Sequence, residues 1–85
     1  MTNLEKIDLL NTLPVIDFDC DGECCNYVMV KVNDLTRGVL NLLGRDNEYI
    51  DANMEAGRID ISSTGWQFAD WWESDRGFCL KEESL

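Results

Sequence analysis

The residues best spaced for chemistry are Asp17, Asp19 and Asp21, followed by Gly22. This D-x-D-x-D-G run is the opening half of a calcium-binding loop. Calcium takes many hard oxygen ligands, three carboxylates at alternate positions can wrap one ion, and the glycine permits a sharp turn. Two requirements of such a loop are missing. Counting from Asp17, the twelfth position is Val28, where the loop needs a bidentate Glu. The chain before it passes Pro14 and alternates like a strand, where the loop needs an incoming helix. The competing reading is an exposed strand face that runs into an Asp-Gly turn.

Cys20, Cys24, Cys25 and Cys79 are the second candidate set. Structural zinc sites prefer paired knuckles whose four ligands converge tetrahedrally. Cys20 and Cys24 are suitably spaced. Cys24 and Cys25 are adjacent, however, and on a strand they would point to opposite faces. The plainer reading is buried thiols acting as small apolar residues. The chain has no His, which excludes Ser-His-Asp and Cys-His catalysis. Gly22, Gly38 and Gly44 are isolated, so no glycine-rich phosphate loop is formed. A non-enzymatic protein is expected.

The elements that must position these residues follow from local patterns. Thr2 and Glu5 fit a capping box. Leu4, Ile7 and Leu10 then recur every third residue, which predicts a helix over 3–12 that ends before Pro14. Residues 15–20 alternate, with Ile16, Phe18 and Cys20 on one side and Val15, Asp17 and Asp19 on the other. That is the pattern of a half-buried strand. Residues 27–32 form a β-branched second strand, and Asp21-Gly22 between the two predicts a hairpin. Asn33 or Asp34 caps a second helix with Leu35, Val39, Leu42 and Leu43 as its apolar face and Gly44 just past its end. Residues 48–54 and 58–62 read as a second pair of strands around Glu55-Ala56-Gly57, with a helix over 51–56 as the alternative. Thr64 and Gln67 suggest another capping box, so that Phe68, Trp71 and Trp72 share a face of a helix closed by Gly77. Phe78-Cys79-Leu80 adds a short final strand. Together these predict one domain over 1–85 with an α+β fold: a small antiparallel sheet of two hairpins packed against two or three short helices.

Charge separates the function classes. The chain carries 17 Asp+Glu against 7 Lys+Arg, a formal net charge of −10, with 45% hydrophobic residues. The hydrophobic content is that of a folded protein. The charge repels phosphate backbones and anionic membranes, so neither direct nucleic-acid binding nor membrane binding is expected. The apolar residues of the N-terminus are broken up by Glu5, Lys6 and Asp8, so a cytoplasmic location is expected. A chain this small has little room for an enclosed substrate pocket, which favours binding through the outer surface.

The acids are concentrated. Residues 46–75 hold Asp46, Glu48, Asp51, Glu55, Asp60, Asp70, Glu73 and Asp75 against the single base Arg58. These eight carboxylates, with Trp66 as an aromatic anchor, are the expected partner-binding residues, and their expected partner is a basic protein surface. The plainer reading is that the acids serve solubility and the tryptophans complete the core. In size and composition the chain resembles phage-encoded inhibitors that mimic nucleic acid, among them anti-restriction and anti-CRISPR proteins. The resemblance implies carboxylates that occupy the nucleic-acid-binding groove of a partner. The alternative function is a calcium-binding module in which Asp17, Asp19 and Asp21 form half of an EF-hand-like loop. No other cofactor is expected.

Overall fold

The computed structural model describes residues 1–21, 24–62, 66–70 and 72–81. The first helix, α1 (Asn3–Leu10), starts where the capping box places it. The Glu5 N–H donates to Thr2 Oγ1 at 3.1 Å, and the Thr2 N–H donates to Glu5 Oε1 at 3.0 Å. Ile7 and Leu10 are its buried residues. The expected strands follow as β1 (Val15–Asp21) and β2 (Cys24–Lys31), paired antiparallel as a hairpin.

The register of that hairpin corrects the expected faces of β1. Val15 pairs with Val30 and Asp17 with Met29, so Ile16 is an extra residue in β1. Asp19 pairs with Tyr27 and Cys20 with Cys25, so Asn26 is an extra residue in β2. Each bulge resets the two-residue period. Val15 and Phe18 therefore share the face of Val30 and Val28, while Asp17 and Asp19 share the face of Met29 and Tyr27. Nor is β1 half-buried: Val15, Ile16 and Phe18 are all exposed.

The next two helices are α2 (Asp34–Leu42) and α3 (Asn47–Asn53). Asn33 Oδ1 caps α2 by accepting the Thr36 N–H at 2.9 Å. The helix buries Thr36, Val39 and Leu40, whereas Leu35 and Leu42 are exposed. The Thr36 hydroxyl donates to the Lys31 carbonyl, and this bond turns the helix away from the expected Leu35, Val39, Leu42 and Leu43 face, of which only Val39 is buried. Gly44 ends α2 at φ +95°, and the Arg45 N–H closes back on the Leu40 carbonyl at 2.8 Å.

The expected strand over 48–54 is replaced by α3, which shares only residues 51–53 with the alternative helix over 51–56, because local capping outweighs weak strand character. Asp46 Oδ1 accepts the Tyr49 N–H at 2.8 Å, and Ile50 anchors the helix in the core. Ala56 and Gly57, at φ 54° and 76°, then turn the chain between Glu55 and Arg58 into β3 (Arg58–Asp60). β3 pairs antiparallel with the free side of β2, giving the order β1-β2-β3. The α+β expectation is met, with three strands and three helices among the described residues, but the sheet holds the β1–β2 hairpin plus β3 in place of two hairpins. The β2–β3 connection runs through α2 and α3.

The last third departs furthest from expectation. Thr64 and Trp71 lie outside the described residues, but described residues 66–81 hold no helix. They fold back as an irregular hairpin. The Asp70 N–H donates to the Cys79 carbonyl at 2.8 Å, the Lys81 N–H to Phe68 at 2.9 Å, and the Gly77 N–H to Glu73 at 2.7 Å. Burial explains the choice. The hairpin buries Trp66, Trp72 and Phe78 together with Val28, Val30, Ile59 and the helices. Each large side chain buried contributes about 2–3 kcal/mol, which exceeds the few tenths per residue of helix propensity.

Asn11 locks this hairpin to the end of α1. Its Nδ2 donates to the Phe78 carbonyl and its Oδ1 accepts the Phe78 N–H, both at 2.9 Å. Gly77 sits at φ +70°, and a Cβ there would meet Asn11 Oδ1 at 2.6 Å. Asn11→Ala and Gly77→Ala should each destabilise the fold by about 2 kcal/mol, read from urea unfolding midpoints. The capping box gives a pH test. Accepting the Thr2 backbone N–H, then the side-chain bond to Thr2, holds the Glu5 carboxyl below its ordinary value. A lowered folded-state value means that its contribution is present above the unfolded value and is lost as pH falls through the folded one. An NMR titration of Glu5 should show the lowered midpoint in the wild type and only a partial return in Thr2→Ala, which removes the hydroxyl and keeps the backbone N–H.

Candidate docking surface

Four of the expected acids fall on α3 and its flanks. Asp46 is the N-cap, Glu48 lies in the first turn, Asp51 follows one turn on, and Glu55 opens the next turn of chain. All four are exposed, and no Lys or Arg occurs between Asp46 and Glu55. Ile50 holds the opposite side of the helix in the core. Asp46 and Glu48 are also favoured by the positive end of the helix dipole. Arg37 reaches across from α2 to Asp51 at 2.7 Å. A surface pair of this kind contributes under about 1 kcal/mol. The side chains of Glu48 and Glu55 have no ion-pair or hydrogen-bond partner among the described residues.

Asp60 has a structural task instead. Its Oδ1 accepts the Val28 N–H at 3.0 Å and the Ser62 N–H at 2.8 Å, which ends β3 and directs the chain off the sheet. Asp70, Glu73 and Asp75 are carried on the C-terminal hairpin. Glu73 pairs with Arg76 at 2.9 Å, and Asp75 is exposed. That hairpin reaches the other edge of the sheet, where Trp72 packs on Phe18 with ring centroids 4.8 Å apart. α3 packs beside β3. β1 and β3 are the two edges of the sheet, separated by β2 and hence by about 10 Å. The eight acids therefore form two groups rather than one continuous face.

Trp66 is a core residue rather than a surface anchor. It is 7% exposed, and its indole N–H donates to the Ile61 carbonyl at 3.2 Å. The Arg45 guanidinium lies 4.6 Å from its ring centroid and 5.3 Å from that of Tyr49. These side chains wall a cleft of about 240 Å³ between α3 and β3, below the roughly 300 Å³ at which small-molecule pockets begin.

The D-x-D-x-D run is carried on strand β1 rather than in a loop. Asp17 and Asp19 lie on the sheet face opposite the core. Asp17 Oδ1 accepts the Phe18 N–H at 2.9 Å, and its Oδ2 accepts the Tyr27 hydroxyl at 3.3 Å. The Asp17 charge is the main cause holding the Tyr27 phenol above its ordinary value, with desolvation and Asp19 adding to it. The side chains of Asp21, Cys20, Cys24 and Cys25 lie outside the described residues. Among the described residues no three His, Cys, Asp or Glu side chains gather as a metal site. Among the same residues no helix is long and apolar enough to cross a membrane.

Searches of protein-family models, of curated proteins and of solved structures found no match to this chain. Asp60→Ala should destabilise the fold by about 1–3 kcal/mol, because two backbone donors lose their acceptor. Glu48→Ala should change stability by less than about 0.5 kcal/mol. Parallel urea titrations of the two variants would separate the acid that builds the fold from one that is available for binding.

Proposed function

We propose that this protein is a non-enzymatic cytoplasmic inhibitor that docks an acidic surface on the basic, nucleic-acid-binding groove of another protein. The observation that carries this reading is the Asp46–Glu55 segment, which presents four exposed carboxylates and no base. Glu48 and Asp51 stand one helical turn apart, about 5–6 Å between Cβ atoms. Carboxylates at that spacing on a rigid helix make a line of negative charge such as a groove built for a phosphate backbone accepts. Among the described residues the side chains of Glu48 and Glu55 make no hydrogen bond or ion pair, so their charge is left to the surface. Asp75, on the second acidic group, is similarly placed.

Binding of this kind is steered by long-range charge and weakens with salt. Immobilised protein should capture a basic partner from host cytosol at about 50 mM salt and release it by about 500 mM. Glu48→Gln combined with Glu55→Gln should weaken capture of that partner about five- to tenfold, chiefly through slower association. Binding that ignores both salt and these substitutions would overturn the reading.

A further inference from the structure

β1 is an edge strand whose outer side pairs with no other strand among the described residues, and its main chain is oriented for pairing. Phe18 pairs with Val28 across the hairpin. Val28 uses its own main-chain groups on the β3 side: its N–H reaches Asp60 at 3.0 Å, and its carbonyl accepts the Ile61 N–H at 2.8 Å. Phe18 therefore turns its N–H and carbonyl outward, away from β2. The Asp17 carboxylate covers the Phe18 N–H. No described residue donates to the Phe18 carbonyl.

Side chains along this edge divide by face. Phe18, 42% exposed, lies against Trp72 on the core side. Val15 borders a cleft of about 310 Å³ that Leu10, Leu13 and Trp72 also line. Asp17 and Asp19 stand on the opposite face. The bulge at Ile16 and these two acids guard the edge against indiscriminate pairing. A second copy of this chain is a poor occupant. Two β1 strands paired antiparallel about Phe18 would set Asp17 against the other copy's Asp19, like charges directly opposed.

We propose that the β1 edge accepts an extended segment of a partner protein with a basic–apolar–basic pattern, added as a fourth antiparallel strand. The apolar residue lies opposite Phe18, exchanges both main-chain hydrogen bonds with it, and sets its side chain beside Phe18 and Trp72. The two bases lie opposite Asp17 and Asp19. The incoming carbonyl replaces the Asp17 carboxylate on the Phe18 N–H and frees that carboxylate for the base. Main-chain bonds supply affinity and the alternate side chains supply selectivity, as in other strand additions. This goes beyond docking through α3 and rests on β1 and the Trp72 beside it.

The probe is an end-capped nine-residue peptide of alternating Lys and Val, titrated into the full chain by calorimetry and amide NMR. Binding should shift the Phe18 amide and its β1 neighbours. N-methylation of the Val residues removes the N–H groups that face β1 while leaving the charge, and should weaken binding at least about tenfold. N-methylation of the Lys residues should leave it within about twofold. Asp17→Asn with Asp19→Asn should weaken it about five- to tenfold. Indifference to Val N-methylation, or unchanged binding in the Asp17/Asp19 variant, would overturn the proposal, as would no binding at millimolar peptide. Binding lost only in the Glu48/Glu55 variant would overturn it while leaving α3 docking intact. A β1-mediated dimer in sedimentation velocity would overturn it in favour of self-pairing.

Discussion

A three-stranded sheet covered on one face is the constraint on which this structure depends. Val28 and Val30 at its centre are fully buried, and every described helix and the C-terminal hairpin contribute to the layer over them. Eighty-five residues give enough chain for one such layer, because a small body buries a small share of its surface. Among the described residues the second face carries Asp17, Asp19, Lys31 and Arg58, all exposed, around the partly covered Tyr27 and Met29. A one-layer design places much of the chemistry of the molecule on surfaces rather than in cavities.

The acids within this frame do different kinds of work. Asp46 and Asp60 accept backbone N–H groups and terminate or initiate elements. Asp51 and Glu73 pair with nearby arginines. Glu48, Glu55 and Asp75 do neither among the described residues. Net charge alone treats all of these as equal. The division matters for function, because a carboxylate held by the backbone is bent toward the protein, whereas an unheld one extends its field into solvent. It also explains why the acids separate into an α3 group and a C-terminal group: their elements pack at opposite edges of the sheet.

The aromatic C-terminal stretch shows how burial overrules local preference. Its sequence offers a helix start at Thr64 and a helix-spaced Phe68, Trp71 and Trp72. The described residues 66–70 and 72–81 instead form an irregular hairpin fixed by the Asn11 clamp on Phe78. That clamp joins residues 67 positions apart, and no window of local sequence contains it. Trp72 in turn supports Phe18, so the hairpin also sets the environment of the open edge of the sheet.

The sequence by itself determined whatever depends on neighbours within a few residues. The Thr2–Glu5 box, the Asn33 cap, the Gly44 terminus, the β1–β2 hairpin and the overall α+β class were all legible, because each is set by local hydrogen bonding or periodicity. The acidity and its concentration over residues 46–75 were equally legible, since charge is a matter of composition. Only the tertiary structure decided the faces of β1, because a single bulge at Ile16 inverts a two-residue period. It alone decided that Thr36 rather than Leu35 turns inward on α2, through a bond to Lys31 outside the helix. It placed Trp66 in the core and divided the carboxylates by task. Each of these depends on contacts between distant segments, which burial free energy selects and local pattern does not encode.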